Sequence, residues 1–247
     1  MNETLHLQNY LNQWVNFTVV HSNSIDRIFT NGYYHSTRYR AAETDGSMPL
    51  VIGSNSENRD DEFFKGFIDN LRVYNRALTD NEINDVYNLD YPVLSEGIDL
   101  AAHYMFEGNG SDSSGFNNEL TMFEATYNND EGDSLSSVNF NGLNTWGQIG
   151  HSETLAIDDE VSIGMWIYMD DFLAQEEVDH GGPPETVLIQ KGDGGSNDEV
   201  YCLIVETNGF LIDLKNKISQ QILDGYSLNE IASENSLVIN QIKNAKK

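Results

Sequence analysis

The sequence predicts an all-β fold in which antiparallel strands form a two-layer sandwich. Two observations lead to this prediction. Short runs rich in β-branched and aromatic residues recur through the first 214 residues, and Gly, Asn, Asp and Ser separate them. The chain has 247 residues, of which 39% are apolar and 11% aromatic. It can therefore bury the core of one large β-domain or of two smaller ones.

The predicted strands follow one another at close spacing along the chain. Their bounds are 14–21, 25–30, 33–35, 50–52, 67–74, 100–106, 137–140, 146–149, 161–168, 186–190, 200–206 and 210–214. Asn31 and Gly32 separate the second strand from the third, and this dipeptide predicts a tight hairpin turn. Thr79 and Glu82 have the spacing of a capping box, which predicts a short helix that ends near Tyr87.

The strand at residues 67–74 alternates with a period of two. One face of the alternation holds Phe67, Asp69, Leu71 and Val73. We interpret this face as the core side, which makes Asp69 its polar member. A carboxylate in that position requires a partner, because an unpaired buried charge is costly.

The chain is strongly acidic, with a net charge of −27. Most of the excess lies in residues 91–214, which carry one basic side chain, Lys191, and 24 acidic ones. A field of this sign repels phosphate backbones and anionic lipid headgroups, so nucleic acid and membrane-surface partners are not expected. It favours divalent cations and tolerates neutral ligands such as sugars. The alternative interpretation is that the acidic surface only keeps the protein soluble.

Several classes of site find no support in the sequence. Cys202 is the single cysteine, which excludes a disulfide framework. No apolar run approaches the roughly 18 residues of a membrane span. The first 14 residues lack the pattern of a secretory signal, so we expect any export signal to have been lost or to lie upstream. The histidines show no metal-binding spacing, and the acidic clusters at 158–160 and 176–179 lie in loop-like sequence. We therefore predict that the chain is not an enzyme.

Three runs of residues resemble one family. Residues 63–78 read FFKGFIDNLRVYNRAL, residues 102–115 read AHYMFEGNGSDSSG, and VNFNG at 138–142 is followed by SIGMWIY at 162–168. Over roughly residues 10–214 the chain resembles the LamG-like, concanavalin A-like modules of secreted and cell-surface proteins. The resemblance implies an antiparallel jelly-roll β-sandwich. In that family the strand like 102–106 comes first and the strand like 67–74 comes last, and the two are neighbours in the fold.

The two halves of the family pattern stand here in reverse order. Residues 1–90 match a C-terminal half, 91–97 a linker, and 98–214 an N-terminal half. The chain is either a fragment of a tandem array of LamG-like modules or one circularly permuted sandwich. We expect the halves to pair in either case, because half a sandwich leaves an apolar face and strand edges exposed. Residues 215–247 change to helical spacing and predict a short helical C-terminal tail.

The resemblance also implies a structural Ca²⁺ site, which many members form from the loop after the first strand and an acidic residue of the last. The matching residues here are Asp69, Asp112, Ser114 and Asn117. Carboxylate and loop oxygens suit Ca²⁺, which takes six to eight oxygen ligands. The alternative is that Asp112 forms an Asx turn and Asp69 accepts backbone N–H groups.

A ligand-binding surface is predicted from aromatic residues beside turns. Trp146 lies between turn-forming residues, and Tyr34 and Arg38 follow the predicted hairpin turn. Trp14 and Trp166 lie inside strand patterns, so we expect both in the core.

These observations lead to a functional hypothesis. The chain is expected to be a non-catalytic, calcium-stabilised module of an extracellular or cell-surface protein. It would bind polysaccharides or glycoprotein glycans or mediate adhesion, beside neighbouring LamG-like modules of its parent chain. Two alternatives stay open: an accessory or remnant domain of a polysaccharide-degrading enzyme, and a structural spacer without a ligand.

Overall fold

The computed structural model describes residues 10–23, 25–39, 49–54, 63–88, 99–129, 136–157, 160–169, 185–191 and 201–206. The chain divides into two compact units, Met1–Thr207 and Asn208–Lys247. The predicted linker at 91–97, the predicted strand at 210–214 and the predicted helical tail at 215–247 lie outside the described residues.

The described part of the first unit is built from strands and one α-helix. The strands are β1 (Trp14–Ser22), β2 (Ile25–Thr30), β3 (Tyr33–Tyr39), β4 (Leu50–Ile52), β5 (Lys65–Tyr74), β6 (Leu100–Tyr104), β7 (Thr121–Phe123), β8 (Thr126–Asn129), β9 (Ser136–Asn141), β10 (Trp146–Ile149), β11 (Glu160–Met169), β12 (Glu185–Lys191) and β13 (Tyr201–Glu206). The helix α1 is Asp80–Asn88, and Glu153–Leu155 forms a short 3-10 helix. No helix among the described residues is long and apolar enough to cross a membrane.

The strands form two antiparallel sheets. The larger sheet has eight strands in the order β3-β2-β1-β11-β5-β9-β8, with β6 also paired to β5. The smaller sheet has five strands in the order β13-β12-β4-β10-β7. The all-β prediction is confirmed. Strands β7 and β8 were not predicted, because TMF and TYNN are too short to show an alternation.

Both sheets mix strands from before residue 90 with strands from after residue 98. Strand β5 pairs with β6, so that Leu71 lies opposite Tyr104 and Arg72 opposite His103. The two strands that stand in reverse order in the sequence are therefore neighbours, as the resemblance implies.

One continuous core lies between the sheets. It includes Phe17, Ile68 and Ile167 of the larger sheet and Ile52 and Leu188 of the smaller one. A second cluster forms where α1 packs on the outer face, which we define as the face of the larger sheet turned away from that core. Its buried members are Val20, Phe29, Tyr74, Leu78, Ile83 and Val86.

Two local predictions are confirmed. Asn31 and Gly32 join β2 to β3 with φ values of 51° and 77°, the left-handed conformation that an Asn-Gly hairpin turn adopts. The helix α1 begins with a capping box, in which Thr79 N donates to Glu82 Oε2 at 2.8 Å. Arg76 completes this end of the helix with two donors to Glu82, at 2.8 and 2.7 Å.

Strand β5 does not keep a period of two. Asp69 lies opposite Trp166, whereas Arg72 lies opposite Gly164, so Asn70 and Leu71 together face the single residue Met165. This extra residue is a β-bulge, and Asn70 takes a φ of 50° within it.

The bulge reverses the alternation along β5. Ile68, Leu71 and Val73 are fully buried in the core. The prediction that Phe67 and Asp69 face the core is therefore wrong, since both lie on the outer face beside Tyr168 and Trp166. A count of alternating residues cannot locate an inserted one. The only local hint was an asparagine, which tolerates positive φ better than most residues.

Candidate functional site

A row of side chains crosses the outer face from β1 to β8. In the ladders Trp14 lies opposite Tyr168, Tyr168 opposite Phe67, Phe67 opposite Asn139, and Asn139 opposite Thr126. Directly opposed residues of antiparallel strands point to the same face of a sheet. The row is therefore continuous over five strands, with aromatic rings at one end and polar side chains at the other.

The aromatic part of this row, Trp14, Tyr168 and Phe67, is called the aromatic row below. Its ring centroids are separated by 5.7 Å between Trp14 and Tyr168 and by 5.9 Å between Tyr168 and Phe67. Trp14 is 42% exposed. Such contact distances stabilise ring pairs, and the exposed ring surface is apolar. The row therefore presents partly exposed apolar ring surface next to polar side chains.

A second row lies beside the first and nearer to α1. It consists of Asn16, Trp166 and Asp69, one from each of the strands β1, β11 and β5. The ring of Trp166 packs against Tyr87 of α1, with centroids 5.7 Å apart. The end of the helix thus borders the second row.

Asp69 is a partly buried carboxylate at the β5 bulge. Its Oδ1 accepts the backbone N–H of Asn70 at 2.6 Å. Burial raises the pKa of Asp69 to about 6; the Asn70 N–H opposes this shift and the negative charge of Glu107 adds to it. A carboxyl group with a pKa this close to neutrality is typical of functional sites.

Polar residues next to Asp69 are tied together by the side chain of Asn70. Its Oδ1 accepts a hydrogen bond from Arg72 Nη2 at 3.1 Å and lies 3.2 Å from His103 Nε2. Burial, together with the positive charge of Arg72, lowers the pKa of His103 to about 4. His103 is therefore neutral at pH 7.

Asp112, the second carboxylate of the predicted calcium site, is engaged in the loop after β6. Its Oδ1 accepts the N–H groups of His103 and Ser114, both at 2.9 Å. Its Oδ2 accepts the N–H of Asn118 at 2.9 Å and the hydroxyl of Ser114 at 2.7 Å. A carboxylate has about four acceptor positions. All of them are filled by protein donors, so this donor set does not fit a calcium ion as it stands.

The other predicted calcium ligands take separate places. Ser114 Oγ also donates to the carbonyl of Ala101 at 3.3 Å, and Asn117 is an exposed residue with a φ of 57°. Asp69 bonds within β5, whereas Asp112 bonds to β6 and its loop. Within the described ranges, no group of three or more His, Cys, Asp or Glu side chains is placed to hold a metal ion.

The predicted ligand-binding residues lie on both sheets. Trp146, in β10 of the smaller sheet, stacks on Phe123 of β7 with centroids 4.1 Å apart and an interplanar angle of 10°. Tyr34, in β3 of the larger sheet, is 56% exposed, and its hydroxyl lies 2.8 Å from Thr37 Oγ1. Arg38 lies opposite Asp26 in the ladder between β3 and β2, and its side chain is outside the described part of the chain. The structure thus does not gather the three residues into one site.

The prediction that Trp14 and Trp166 belong to the core is wrong. Their neighbours Val15 and Ile167 face the core, which turns both tryptophans to the outer face. The alternation of β1 and β11 was the available signal. In β1 the face of Trp14 also carries Asn16, Thr18 and Ser22, and in β11 the face of Trp166 also carries Glu160 and Ser162, whereas the opposite face of each strand is mostly apolar.

Comparison with known proteins identifies one family. A laminin G-type family model, described as the concanavalin A-like lectin/glucanases superfamily, matches residues 6–84. No curated protein and no solved structure matches the chain significantly. The match covers residues 6–84, and the described strands form a two-sheet antiparallel sandwich that is consistent with a concanavalin A-like jelly roll. The resemblance and the predicted jelly-roll β-sandwich are therefore confirmed.

Proposed function

We propose that this chain is a non-catalytic glycan-binding module and that its ligand lies across the outer face of the larger sheet. The observation that carries the proposal is the aromatic row, which is partly exposed and leads directly to Asn139 and Thr126. Sugar rings have apolar C–H faces that pack on aromatic rings and hydroxyl groups that bond to amide and hydroxyl side chains. Binding sites commonly combine apolar rings with a few polar groups in this way.

The charge of the protein narrows the class of glycan. The net charge is −27, and an anionic polysaccharide would be repelled from such a surface. We therefore propose neutral polysaccharides or the neutral portions of glycoprotein glycans as ligands. Adhesion would follow from binding such glycans on another surface, and this role belongs to an extracellular or cell-surface protein with neighbouring modules of the same type.

The experiment compares two exposed aromatic surfaces of the sandwich. Trp14→Ala removes the exposed end of the aromatic row, and we expect at least a tenfold loss of affinity (~1.4 kcal/mol) for the neutral oligosaccharide that the wild type binds best on a glycan array. Trp146→Ala, in the smaller sheet, is the matched control and should leave affinity unchanged. Titration calorimetry measures both variants.

Two outcomes would overturn the proposal. A loss of affinity in Trp146→Ala but not in Trp14→Ala would place the ligand on the smaller sheet. Background binding of the wild type to every neutral glycan, with Ca²⁺ present, would favour the structural spacer.

A second candidate function is glycoside hydrolysis, favoured by the raised pKa of Asp69, which results mainly from burial and to a smaller extent from the charge of Glu107. Glycosidases use two carboxyl groups, one of which is kept protonated near neutral pH to act as an acid. Release of reducing ends from neutral β-glucans by the wild type, lost in both Asp69→Asn and Glu107→Gln, would support this candidate. No release by the wild type would exclude it for those substrates.

Calcium is not required by the proposed binding mode. The acceptor positions of Asp112 are filled by protein donors. The effect of calcium on stability is therefore tested separately from glycan binding.

A further inference from the structure

Four strands of the sandwich find all of their ladder partners in the other half of the chain. We define the first half as residues 10–88 and the second half as residues 99–206. Strands β4 and β5 of the first half pair with β10, β12, β6, β9 and β11 of the second. Strands β6 and β11 of the second half pair with β1 and β5 of the first. Without the other half, both edges of these strands would lack hydrogen-bond partners.

The two halves are also interleaved. Strand β11 of the second half lies between β1 and β5 of the first. Strand β4 of the first half lies between β12 and β10 of the second. Each half therefore leaves a gap that one strand of the other fills, one gap in each sheet. This reciprocal insertion makes each half a specific binding partner for the other.

Side chains reinforce the choice of partner around β11. Ser162 Oγ accepts the N–H of Leu78 at 2.9 Å and donates to the carbonyl of Arg76 at 2.8 Å. Ser22 Oγ donates to Glu160 at 2.7 Å. In the core, the rings of Phe64 and Phe140 meet across the two halves with centroids 5.7 Å apart. These contacts hold the inserted strand in one register.

None of these contacts depends on the two halves belonging to the same chain. Residues 89–98 join the first half to the second in the sequence. We propose that a second copy of this chain is a partner, and that the two copies exchange halves. The first half of one copy completes the second half of the other, and every strand pair of the sandwich is kept. Exchange of an identical element between two copies preserves the native contacts at low cost. The inference stands independently of the proposed function.

The experiment uses two full-length variants, each damaged in one half. One carries Leu71→Asp and Val73→Asp in β5, and the other carries Met165→Asp and Ile167→Asp in β11. All four positions are fully buried, so each variant alone should lose the native fold. The two variants are then unfolded in denaturant, mixed and refolded together.

Exchange predicts recovery in the mixture. The intact first half of one variant meets the intact second half of the other, which gives one native sandwich for every two chains. We expect about half of the wild-type near-ultraviolet circular dichroism per chain, in a fraction with the mass of a dimer. The control mixes the β5 variant with an Ile68→Asp variant; both are damaged in the first half and should recover nothing.

Absence of recovery in the first mixture, or equal recovery in the control mixture, would overturn the inference. A second measurement uses the wild-type chain, refolded at rising concentration. We expect a dimer with the native spectrum whose fraction grows with concentration. A product that stays monomeric at every concentration would contradict the exchange.

Discussion

Two carboxylates that the family resemblance assigns to one calcium site have opposite surroundings. Asp112 accepts hydrogen bonds from the backbone N–H groups of His103, Ser114 and Asn118 and from the hydroxyl of Ser114. Asp69, at the β5 bulge, bonds only to donors of Asn70 among the contacts described, at 2.6 Å and 3.5 Å. Its pKa is raised to about 6 by burial.

The difference separates a structural role from a functional one. The charge of Asp112 is matched by donors that close the loop after β6, so this residue serves the fold. The charge of Asp69 is poorly matched, and it lies on the outer face beside the aromatic row. A carboxylate that is costly to the folded state and adjoins the proposed binding surface is the better candidate for contact with a ligand.

The largest expected effect comes from Asp112→Ala. The substitution leaves the N–H groups of His103 in β6 and of Ser114 and Asn118 in the loop without their acceptor, and unsatisfied buried donors are costly. We expect the free energy of unfolding to fall by about 3 kcal/mol, measured by urea denaturation. Ser113→Ala, at an exposed neighbouring position, is the control and should change it by less than about 0.5 kcal/mol. A loss as small for Asp112→Ala would contradict the structural role.

Asp69→Asn should change the free energy of unfolding by a smaller amount and in the opposite direction, toward higher stability. The folded-state pKa is about 6 and the ordinary value is 3.8, so the folded protein holds a proton between these values that the unfolded chain releases. The wild type therefore loses stability as pH rises from about 4 to 6 and stays at the lower level above 6. We expect Asp69→Asn to stabilise the protein by about 1–2 kcal/mol at pH 8 and by little at pH 4.

Denaturation curves at the two pH values test this prediction. Destabilisation by Asp69→Asn at pH 8 would show that the charge has a partner. The comparison with Asp112 would then fail.

Glu82 is a third carboxylate, and its pKa is lowered. The hydrogen bonds from Arg76 lower the pKa of Glu82 from 4.5 to about 2. Its contribution to stability is therefore present above about pH 4.5 and is lost as pH falls toward 2. The side chain is 28% exposed, which weakens the pair through solvent screening. We expect Glu82→Gln to cost about 1 kcal/mol at pH 7 and almost nothing at pH 2, again by denaturation. Asp85→Asn in the same helix is the control.

The smallest expected effect is that of calcium. Since the acceptor positions of Asp112 are filled, adding Ca²⁺ or removing it with EDTA should shift the melting temperature by less than about 1 °C. A rise of several degrees with Ca²⁺, absent in Asp112→Asn, would establish the site that the resemblance implies. Asp112 would then bind metal, and the distinction between a structural Asp112 and a functional Asp69 would no longer hold.

Much of the fold could be predicted from local sequence, whereas the candidate site could not. The bounds of β1, β2, β4 and β10 were predicted to within one residue. Trp146 and Tyr34 were predicted to bind ligand, but they lie on different sheets. The aromatic row was missed, because its three members come from strands that are far apart in the chain. Adjacency of this kind depends on strand pairing, which leaves little trace in a single sequence.

The sequence by itself determined the features that depend on a few neighbouring residues. The Asn31-Gly32 turn follows from the tolerance of these residues for positive φ, and the start of α1 follows from the Thr79–Glu82 capping box. Only the tertiary structure decided where β5 breaks its alternation, which face Asp69 occupies, and which strands fill the gaps of each half. The physical reason is that these outcomes depend on the burial and pairing of segments distant in sequence, where tertiary packing overrides local preference.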